Sequence, residues 1–310
     1  ELIGYRPRRR AVVRVTVRDR AFEPRRLGEP LLLFGDGRHG PRRALGAPRA
    51  FYIKILRASH FEAVSHRHRL LAAGGLPSPR VLATTPDQLL LIAETTGMPL
   101  ARAIFTEALP VSGDEIVTLL DSMPPAVAEL ERRPPWASSI AHYARIVQSV
   151  LPDLGGRLDY LTQRVEEGLA HLPLGDEATH GDFYEAQIFV HGGHISGLID
   201  IDTIGPGRRA DDLACLIAHL NCIQRMTAGQ ARQVAALIGR WQPAFDARVD
   251  PVELRLRAAA VAVSLATGPY RGQEPDWERE TRRMVSRAED LVAAAETLSL
   301  GRRLRVPAGV

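Results

Sequence analysis

Lysine and asparagine are nearly absent from this 310-residue chain, which has one lysine, Lys54, and one asparagine, Asn221. The other 39 of its 40 basic residues are arginine. A phosphate-binding P-loop requires a lysine directly after a glycine-rich run, whereas Lys54 follows the sequence Arg-Ala-Phe-Tyr-Ile. The composition therefore excludes nucleotide hydrolases of the P-loop class.

Cysteine is also scarce, since Cys215 and Cys222 are the only two in the chain. They are seven residues apart in a segment with helical periodicity, which places them about 10 Å apart on one helix face. That separation is too large for a disulfide. We therefore expect two buried thiols in a reducing compartment, and hence a cytoplasmic protein.

Long apolar runs are missing as well. No segment reaches about 18 consecutive apolar residues, so the sequence predicts no membrane-spanning helix. Its first residues are charged, unlike a secretion signal. The 40 basic and 36 acidic residues nearly balance, although the isoelectric point is about 9.4. Because basic residues do not dominate one region, we expect neither a nucleic acid nor a membrane as a partner.

Periodicity divides the chain into a β-rich first part and a helical second part. In the first part we predict strands at 11–17, 51–56, 81–82 and 89–93 and one helix at 59–73. In the second part we predict helices at 113–132, 137–151, 154–171, 210–226, 228–243, 251–267 and 275–299, with a β hairpin of 188–190 and 195–201 among them. This order predicts an α+β protein with domains at 1–96 and 97–310.

Residues 19–49 interrupt the β-rich part with many arginines, glycines and prolines, and we predict an irregular insertion there. Gly35 to Gly40 within it matches the pattern G-x-G-x-x-G. A dinucleotide-binding interpretation fails, because only about ten residues separate Gly40 from the next strand, too few for a crossover helix.

The most informative segment contains two aspartates and an amide in a defined order. Asp182 precedes Gln187 by five positions, and Asp200 follows at the end of an apolar strand. Kinases use one carboxylate to orient the attacking hydroxyl and accept its proton, and they use an amide oxygen and a second carboxylate to hold Mg²⁺. The spacing supplies these three groups from one loop-hairpin-loop unit.

The segments Thr-His-Gly-Asp at 179–182 and Ile-Asp-Ile-Asp at 199–202 resemble the catalytic loop and the metal motif of the aminoglycoside phosphotransferase and choline kinase family. The sequence Asp-Leu-Ala from Asp212 resembles a helix start of that family, whose aspartate is structural. The likeness covers roughly residues 1–220. It implies a two-lobed protein-kinase-like fold, with a small β-rich nucleotide-binding lobe and a larger, mostly helical catalytic lobe.

The resemblance also implies roles for individual residues. Asp182 would be the catalytic base, and Gln187 and Asp200 would be the ligands of Mg²⁺. Lys54 would contact the α- and β-phosphates. Its implied ion-pair partner is a helix glutamate, for which Glu62 is the only candidate between residues 59 and 75.

The implied cofactor is ATP, with GTP as an alternative, held at its base by the backbone of an interlobe hinge at 91–96. The cofactor-binding residues in this hinge would be Glu94, Thr95 and Thr96. The implied activity is transfer of the γ-phosphate to a hydroxyl of an aminoglycoside, a sugar or another metabolite, by a monomer or a homodimer.

The sequence departs from the family pattern at three positions. Gln187 replaces the usual asparagine, but it still offers a carbonyl oxygen, so we expect metal binding to survive. Asp202 stands where many relatives have glycine, and Glu185 where proline is commoner. We expect Asp202 and Glu185 to face the substrate or to lie beside the metal.

Several alternatives stay open. The phosphate-covering loop lies either at 4–10 or at 35–40. Asp276, Glu278 and Glu280 would suit a cationic substrate, but arginines in the same segment equally fit a solvated charged helix. A pseudokinase that binds nucleotide without chemistry is a second functional hypothesis. A protein kinase is disfavoured, because the eleven residues between Asp200 and Asp212 leave no room for a peptide-docking loop.

Overall fold

The computed structural model describes residues 1–6, 10–17, 49–106 and 111–305. The chain forms two compact units, one of residues 1–96 and 197–202 and the other of residues 97–196 and 203–310. We predicted that all residues from 97 onward belong to the second domain. The structure instead groups residues 197–202 with the first unit, which corrects that boundary. Most of the predicted insertion at 19–49, including Gly35 to Gly40, lies outside the described residues.

The first unit is built on an antiparallel sheet with the strand order β1-β2-β3-β5-β4. The strands are β1 (Leu2–Arg6), β2 (Arg10–Val17), β3 (Arg49–Leu56), β4 (Val81–Thr84) and β5 (Leu89–Ala93), and helix α1 (Ala58–Ala73) follows β3. Strands β1 and β2 pair with Arg6 opposite Arg10. Residues 7–9, between these two strands, are outside the described residues, so the position of the phosphate-covering loop stays a prediction.

The core of the first unit lies between the sheet and α1, where Leu56, Val64, Leu90 and Ile92 pack together. Side chains alternate between the two faces of a strand, so Lys54 shares its face of β3 with Leu56, whereas Ile55 is 43% exposed. The ammonium-bearing side chain of Lys54 is only 5% exposed. The sheet therefore places the single lysine inside the unit rather than in solvent.

The second unit is mostly helical and is organised around a buried helix. Its helices are α2 (Leu100–Thr106), α3 (Gly113–Asp121), α4 (Ile140–Val150), α5 (Gly155–Leu169), α6 (Arg209–Cys222), α7 (Ala228–Arg248), α8 (Pro251–Leu265), α9 (Gly268–Arg271) and α10 (Trp277–Arg305). Every residue of α8 from Glu253 to Ser264 is buried. A helix that is buried on all sides forms the centre of a domain, and α10, α6 and α5 pack around this one.

Two small sheets lie mostly in the second unit; only the last two residues of one strand, 197 and 198, are counted with the first unit. Strands β7 (Glu177–Thr179) and β10 (Gly205–Gly207) form one, and β6 (Met98–Pro99), β8 (Ile188–His191) and β9 (His194–Leu198) form the other. The loop from His180 to Gln187, which carries Asp182, joins β7 to β8. Within the described residues, no helix has the length and apolar character needed to cross a membrane.

The α+β class and most of the predicted elements are confirmed, and the differences have local causes. The helix predicted at 113–132 ends at Asp121, because Pro124 and Pro125 cannot continue it. Helix α7 instead continues through Pro243 to Arg248. The strand predicted at 195–201 ends at Leu198, and Asp200, two residues later, has a positive φ of 53°, which strand geometry excludes.

Candidate active site

The loop that carries Asp182 turns sharply at Gly181, where φ is +80°. A Cβ atom at this position would lie 2.8 Å from the carbonyl oxygen of Thr203. Thr203 also donates a hydrogen bond from its hydroxyl to the carbonyl oxygen of His180, at 2.9 Å. The turn before Asp182 therefore requires a glycine for both its backbone angle and its close approach to the neighbouring chain.

Asp212 holds the same loop in place, because its carboxylate accepts two hydrogen bonds from the loop's backbone. The N–H groups of His180 and Gly181 each donate to one of its oxygens, both at 2.9 Å. Asp212 is fully buried, and the guanidinium of Arg209 donates to it at 3.1 Å. A buried carboxylate is stable only when it is paired and hydrogen-bonded. The structural role that the resemblance implied for Asp212 is thus visible in its contacts.

Arg209 is a buried residue of this site that sequence reasoning missed. Besides Asp212, its guanidinium donates to the carbonyl oxygens of Leu120 and Ala178, both at 2.8 Å, and to a carboxylate oxygen of Asp121. It therefore connects α3, β7 and α6 at the base of the loop. Because the chain has 39 arginines, the residue type alone does not indicate this role for Arg209. Only its position three residues before Asp212 could have indicated it.

His180 also supports the loop. Its side chain is fully buried and its ring lies edge-on to Phe183, with 5.9 Å between ring centroids. The Asp182 backbone N–H approaches its Nδ1 atom at 3.4 Å. These contacts give His180 a structural role in the loop.

Helix α6 presents Cys215 and His219 to Asp182. One ligand atom of each of the three side chains lies within 4.8 Å of those of the other two. Burial raises the pKa of the Cys215 thiol, and the Asp182 carboxylate adds to that effect. Burial lowers the pKa of His219 to about 4, and its ring stacks on Tyr184 with 4.1 Å between centroids. Cys215 and Cys222 are both buried and free, as predicted.

Glu185 and Gln187 end the same loop with their side chains buried. Burial raises the pKa of Glu185 to about 7, and its Oε2 atom has no hydrogen-bond partner. The backbone N–H of Gln187 donates to the carbonyl oxygen of Tyr184 at 2.9 Å. The loop thus brings Asp182, Glu185 and Gln187 into one unit.

The first unit holds the other predicted site residues, where Arg10 and Lys54 meet Asp200 and Asp202. Lys54 Nζ donates to Asp202 Oδ1 at 2.6 Å. The guanidinium of Arg10 donates to both oxygens of Asp200, at 2.7 and 2.9 Å, and to Asp202 Oδ2 at 2.6 Å. Two cations therefore share two adjacent carboxylates, and Arg10 is a second site residue that the sequence alone did not single out.

The charges of this cluster set its pKa values. Burial by itself would raise the pKa of Asp202, but Lys54 and then Arg10 outweigh it and lower the value to about 2. Burial and the neighbouring Asp202 carboxylate would raise the pKa of Asp200, but the hydrogen bonds to Arg10 together with the charges of Lys54 and Arg10 outweigh both and lower it. Nearby in α1, burial and the Lys54 ammonium lower the pKa of His68 to about 4. Both carboxylates are thus ionised and the imidazole is neutral at pH 7.

Glu62 is not the partner of Lys54, which corrects the sequence-based assignment. The Glu62 side chain is 82% exposed and lies 3.9 Å from Arg69 on the same helix. Instead, Lys54 pairs with Asp202, which is 148 positions away in sequence.

The predicted hinge residues lie at the end of the segment 1–96 of the first unit. Glu94 accepts a hydrogen bond from Arg14 at 2.7 Å, and Thr95 and Thr96 are the last two residues of the segment.

Two of the three acidic residues predicted to attract a cationic substrate, Asp276 just before α10 and Glu280 within it, are paired with arginines of α10. Asp276 binds Arg279 at 2.9 Å, and Glu280 binds Arg283 at the same distance. Glu280 is also buried. These pairs match the alternative of charge pairing along one helix, so α10 does not supply an acidic pocket through Asp276 and Glu280.

The donor set fits a magnesium ion. The predicted ligands Gln187 and Asp200 offer amide and carboxylate oxygens, the hard ligands that Mg²⁺ prefers. Asp200 and Asp202 already pair with the two cationic side chains of Arg10 and Lys54, so a metal ion at Asp200 would have to displace Arg10.

A cleft of about 740 Å³ lies in the second unit beside the loop, bordered by Trp136, Gly181 and Thr203 among others. The indole N–H of Trp136 donates to the carbonyl oxygen of Gly181 at 3.2 Å. Asp182 does not line this cleft.

Comparison with solved structures identifies the fold. A thermostable mutant of aminoglycoside phosphotransferase APH(4)-Ia, in a ternary complex with ADP and hygromycin B, is 14% identical with a TM-score of 0.57, covering 79% of this chain and 87% of that one. A choline/ethanolamine kinase family protein from Mesorhizobium loti is 17% identical with a TM-score of 0.55, covering 80% and 87%. Amicoumacin kinase hAmiN, in complex with AMP-PNP, Ca²⁺ and Ami, is 14% identical with a TM-score of 0.54, covering 78% and 82%.

Comparison with curated proteins gives no significant sequence match. The model of the phosphotransferase enzyme family, APH, matches residues 43–251, which is more than half of the chain. The kinase-like fold and the family resemblance that the sequence predicted are both confirmed. This chain therefore belongs to the phosphotransferase enzyme family.

Proposed function

We propose that the protein is a small-molecule kinase that transfers the γ-phosphate of ATP to a hydroxyl of an aminoglycoside, a sugar or another metabolite. The observation that carries this proposal is the construction of the loop before Asp182. A fully buried carboxylate, Asp212, binds two successive backbone N–H groups of that loop. Such rigid support is what a residue that must orient a reacting group requires.

Asp182 is the proposed base. Its carboxylate would align the acceptor hydroxyl and accept its proton as the hydroxyl oxygen forms a bond to the γ-phosphorus. The bond between that phosphorus and the oxygen of ADP breaks in the same transfer, and ADP leaves with the electron pair. Most of the rate enhancement in such a reaction comes from positioning and charge stabilisation, which is consistent with a loop held by buried hydrogen bonds.

We infer that the first unit binds the nucleotide. Lys54 would contact the α- and β-phosphates, and the backbone of residues 91–96, with Glu94, Thr95 and Thr96, would hold the base. Gln187 and Asp200 would hold Mg²⁺, which when bound offsets the negative charge of the phosphates. Asp202 would keep the Lys54 ammonium in place, because the two side chains already form a buried ion pair.

Glu185 is the candidate residue for contact with the substrate. It lies three residues after Asp182, and its buried Oε2 atom has no hydrogen-bond partner. An unsatisfied buried polar atom is costly, and a hydroxyl or amino group of a substrate would satisfy it. This supports a polar acceptor without identifying it. The free, buried thiols support a cytoplasmic protein, and we expect a monomer or a homodimer.

The proposal is tested by measuring ADP release from Mg-ATP across a library of aminoglycosides, sugars and other hydroxylated metabolites. Asp182→Asn should lose at least about 10²-fold in rate on any acceptor found, in the range of general base catalysis. Asp176→Asn is the matched control, since Asp176 is exposed and precedes the same loop. An Asp182→Asn variant with the wild-type rate would contradict the assignment.

A nucleotide-binding protein without phosphotransfer activity is the second candidate, and one observation favours it. Arg10 engages both oxygens of Asp200, which the kinase function needs for the metal. Calorimetric titration with AMP-PNP and Mg²⁺ separates the two functions when combined with the acceptor screen. Nucleotide binding with no turnover on any acceptor would support the second candidate.

A further inference from the structure

Three side chains of the second unit lie close together, and the proposed phosphotransfer uses only one of them, Asp182. A carboxylate oxygen of Asp182, the Sγ atom of Cys215 and a ring nitrogen of His219 all lie within 4.8 Å of one another. Across the described ranges 1–6, 10–17, 49–106 and 111–305, no other group of three His, Cys, Asp or Glu side chains meets this criterion.

The local structure explains why these side chains converge. Residues four apart on a helix share one face, so Cys215 and His219 lie one turn apart on the same side of α6. The loop before Asp182 is tied to the start of that helix, because Asp212 accepts the N–H groups of His180 and Gly181. The stack of Tyr184 on His219 further orients the imidazole ring. The three groups are thus held in place by contacts outside the cluster.

The donor set selects a particular class of metal ion. Thiolate, imidazole and carboxylate are the three side-chain ligands that zinc uses, and a zinc ion with three protein ligands keeps a fourth position for water. Magnesium prefers oxygen ligands and disfavours sulfur. The anionic carboxylate and thiolate would together balance the double positive charge of zinc, which suits a site where Cys215 is only 1% exposed.

We propose that Asp182, Cys215 and His219 form a binding site for Zn²⁺, separate from the magnesium site of the phosphotransfer reaction. On binding, the Cys215 thiol forms a bond to zinc through sulfur and releases its proton to solvent. Water completes the tetrahedral coordination. The functional consequence rests on the proposed function: zinc would occupy the carboxylate that serves as the base, and so zinc inhibits phosphotransfer.

The site is tested by titrating the nucleotide-free protein with Co²⁺ alone, which reports its ligands by absorption, and then displacing it with Zn²⁺. One equivalent of Co²⁺ should produce a thiolate-to-cobalt charge-transfer band, and Zn²⁺ should abolish it. Cys215→Ser should remove the band and weaken zinc binding by about 100-fold or more, since loss of even a supporting partner of a metal ligand costs 10–100-fold.

Cys222→Ser is the matched control, because Cys222 is the other buried thiol of α6 but is not part of the cluster. This variant should keep the band, whereas His219→Gln should weaken zinc binding without removing the thiolate. Circular dichroism of each variant separates loss of the site from loss of the fold. Absence of the band in the folded wild-type protein, or a band of equal intensity in Cys215→Ser, would overturn the proposal.

The spectroscopic result does not depend on enzymatic activity. If the protein binds zinc through Cys215 and yet phosphorylates no acceptor, the zinc site stands and the proposed kinase function fails. If it is an active kinase and the charge-transfer band is absent, the kinase function stands and the zinc site fails. With both in place, Zn²⁺ should inhibit the wild-type enzyme at concentrations about 100-fold lower than those that inhibit Cys215→Ser, matching the loss of zinc affinity.

Discussion

Arg10 holds Asp200 through two parallel hydrogen bonds, at 2.7 and 2.9 Å, one to each oxygen of the carboxylate. Bidentate pairs of this kind are among the stronger polar contacts in proteins. Asp200 is also the carboxylate that the proposed function assigns to the metal. An ion that binds there must therefore compete with an arginine from the first β hairpin.

Replacing Arg10 with glutamine should raise the affinity of the nucleotide-free protein for Mn²⁺, used as a spectroscopic substitute for Mg²⁺, by about tenfold. The reason is that hydrogen bonds to a charged group contribute about 1.5–3 kcal/mol, which the ion no longer has to displace. Electron paramagnetic resonance of free Mn²⁺ measures the effect. Arg14→Gln is the control, because Arg14 lies on the same strand and binds Glu94 instead. Equal Mn²⁺ affinities in wild type and Arg10→Gln would show that Arg10 does not compete.

Lys54→Arg should lower kcat/KM for phosphotransfer by at least about tenfold while the protein stays folded. Lys54 is buried, and its ammonium lies 2.6 Å from Asp202. The guanidinium of arginine is larger, planar and directs its hydrogen bonds differently, so it does not replace a compact ammonium. Steady-state kinetics, together with a melting curve, measures both properties. A wild-type rate would mean that the single lysine reflects coding bias rather than chemistry.

Asp212→Asn should destabilise the protein by roughly 3–5 kcal/mol, the range for breaking a buried ion pair, and should reduce activity strongly. The amide removes the charge that offsets buried Arg209 and offers only one acceptor oxygen to the two backbone N–H groups. Asp250→Asn is a close control, since Asp250 also accepts two backbone N–H groups, those of Val252 and Glu253, at the start of α8.

Asp250 is an exposed helix cap, and asparagine caps a helix about as well as aspartate. Its substitution should therefore cost only the charge at the helix start, less than about 1 kcal/mol, and leave the rate unchanged. Urea unfolding and the phosphotransfer assay compare the two variants. Similar losses in both would remove the special role of Asp212 in holding the loop.

Gly181→Ala should reduce stability and activity much more than Gly193→Ala, although the two glycines have the same φ of +80°. A Cβ atom at Gly181 would meet the Thr203 carbonyl oxygen at 2.8 Å, whereas nothing lies within 4 Å of one at Gly193. The backbone penalty of about 1–2 kcal/mol is thus common to both variants, and the difference isolates the contact between Gly181 and Thr203. Equal melting temperatures for the two variants would contradict this account.

His68 should make the folded state sensitive to mild acid. Burial and Lys54 lower its pKa to about 4 from an ordinary value of 6.5, although Asp202 and Asp200 act in the opposite direction. The unfolded chain therefore binds more protons between these two pH values, and stability falls as the pH falls. The stability that neutral His68 contributes is complete above pH 6.5 and is lost as the pH approaches 4, by about 3 kcal/mol in total.

The test compares urea unfolding of wild type and His68→Leu between pH 4.5 and 7.5. The free energy of unfolding of the wild type, relative to that of the variant, should fall by roughly 2–3 kcal/mol from the top to the bottom of this range. The comparison with the variant is needed because Glu185 also makes the free energy of unfolding depend on pH. Burial raises the pKa of Glu185 to about 7, so its contribution has the opposite sign over an overlapping pH range. A constant difference would show that His68 is not buried in its neutral form.

Local sequence patterns were sufficient for much of the fold, whereas the roles assigned to the site residues stay predictions. Alternation predicted the strand that contains Lys54, and a motif spanning a few residues predicted the loop around Asp182. The partner of Lys54 was not predictable in this way. Reasoning from the neighbouring helix favoured Glu62, but the ion pair forms with Asp202, 148 residues away, and no periodicity relates positions so far apart.

Arginines were the other residues that the sequence could not resolve. Arg10 and Arg209 have specific buried or partly buried partners, but in a chain with 39 arginines neither differs from those on the surface. Their roles depend on which carboxylates the folded chain brings near them. Helix ends were also hard to predict from proline alone, because prolines follow the end of α3 at Asp121, whereas α7 continues through Pro243, where packing outweighs the lost hydrogen bond.

The return of residues 197–202 to the first unit has a consequence for the order of events during protein synthesis. Lys54 and its carboxylate partner are separated by 148 positions, which take roughly 7–30 s to translate at 5–20 residues per second. During that interval the nascent N-terminal sheet carries a lysine and an arginine whose counter-ions have not been made. The strands of the first unit are synthesised first. Its lysine and arginine can pair with their carboxylates only after residues 97–196 of the second unit have also been synthesised.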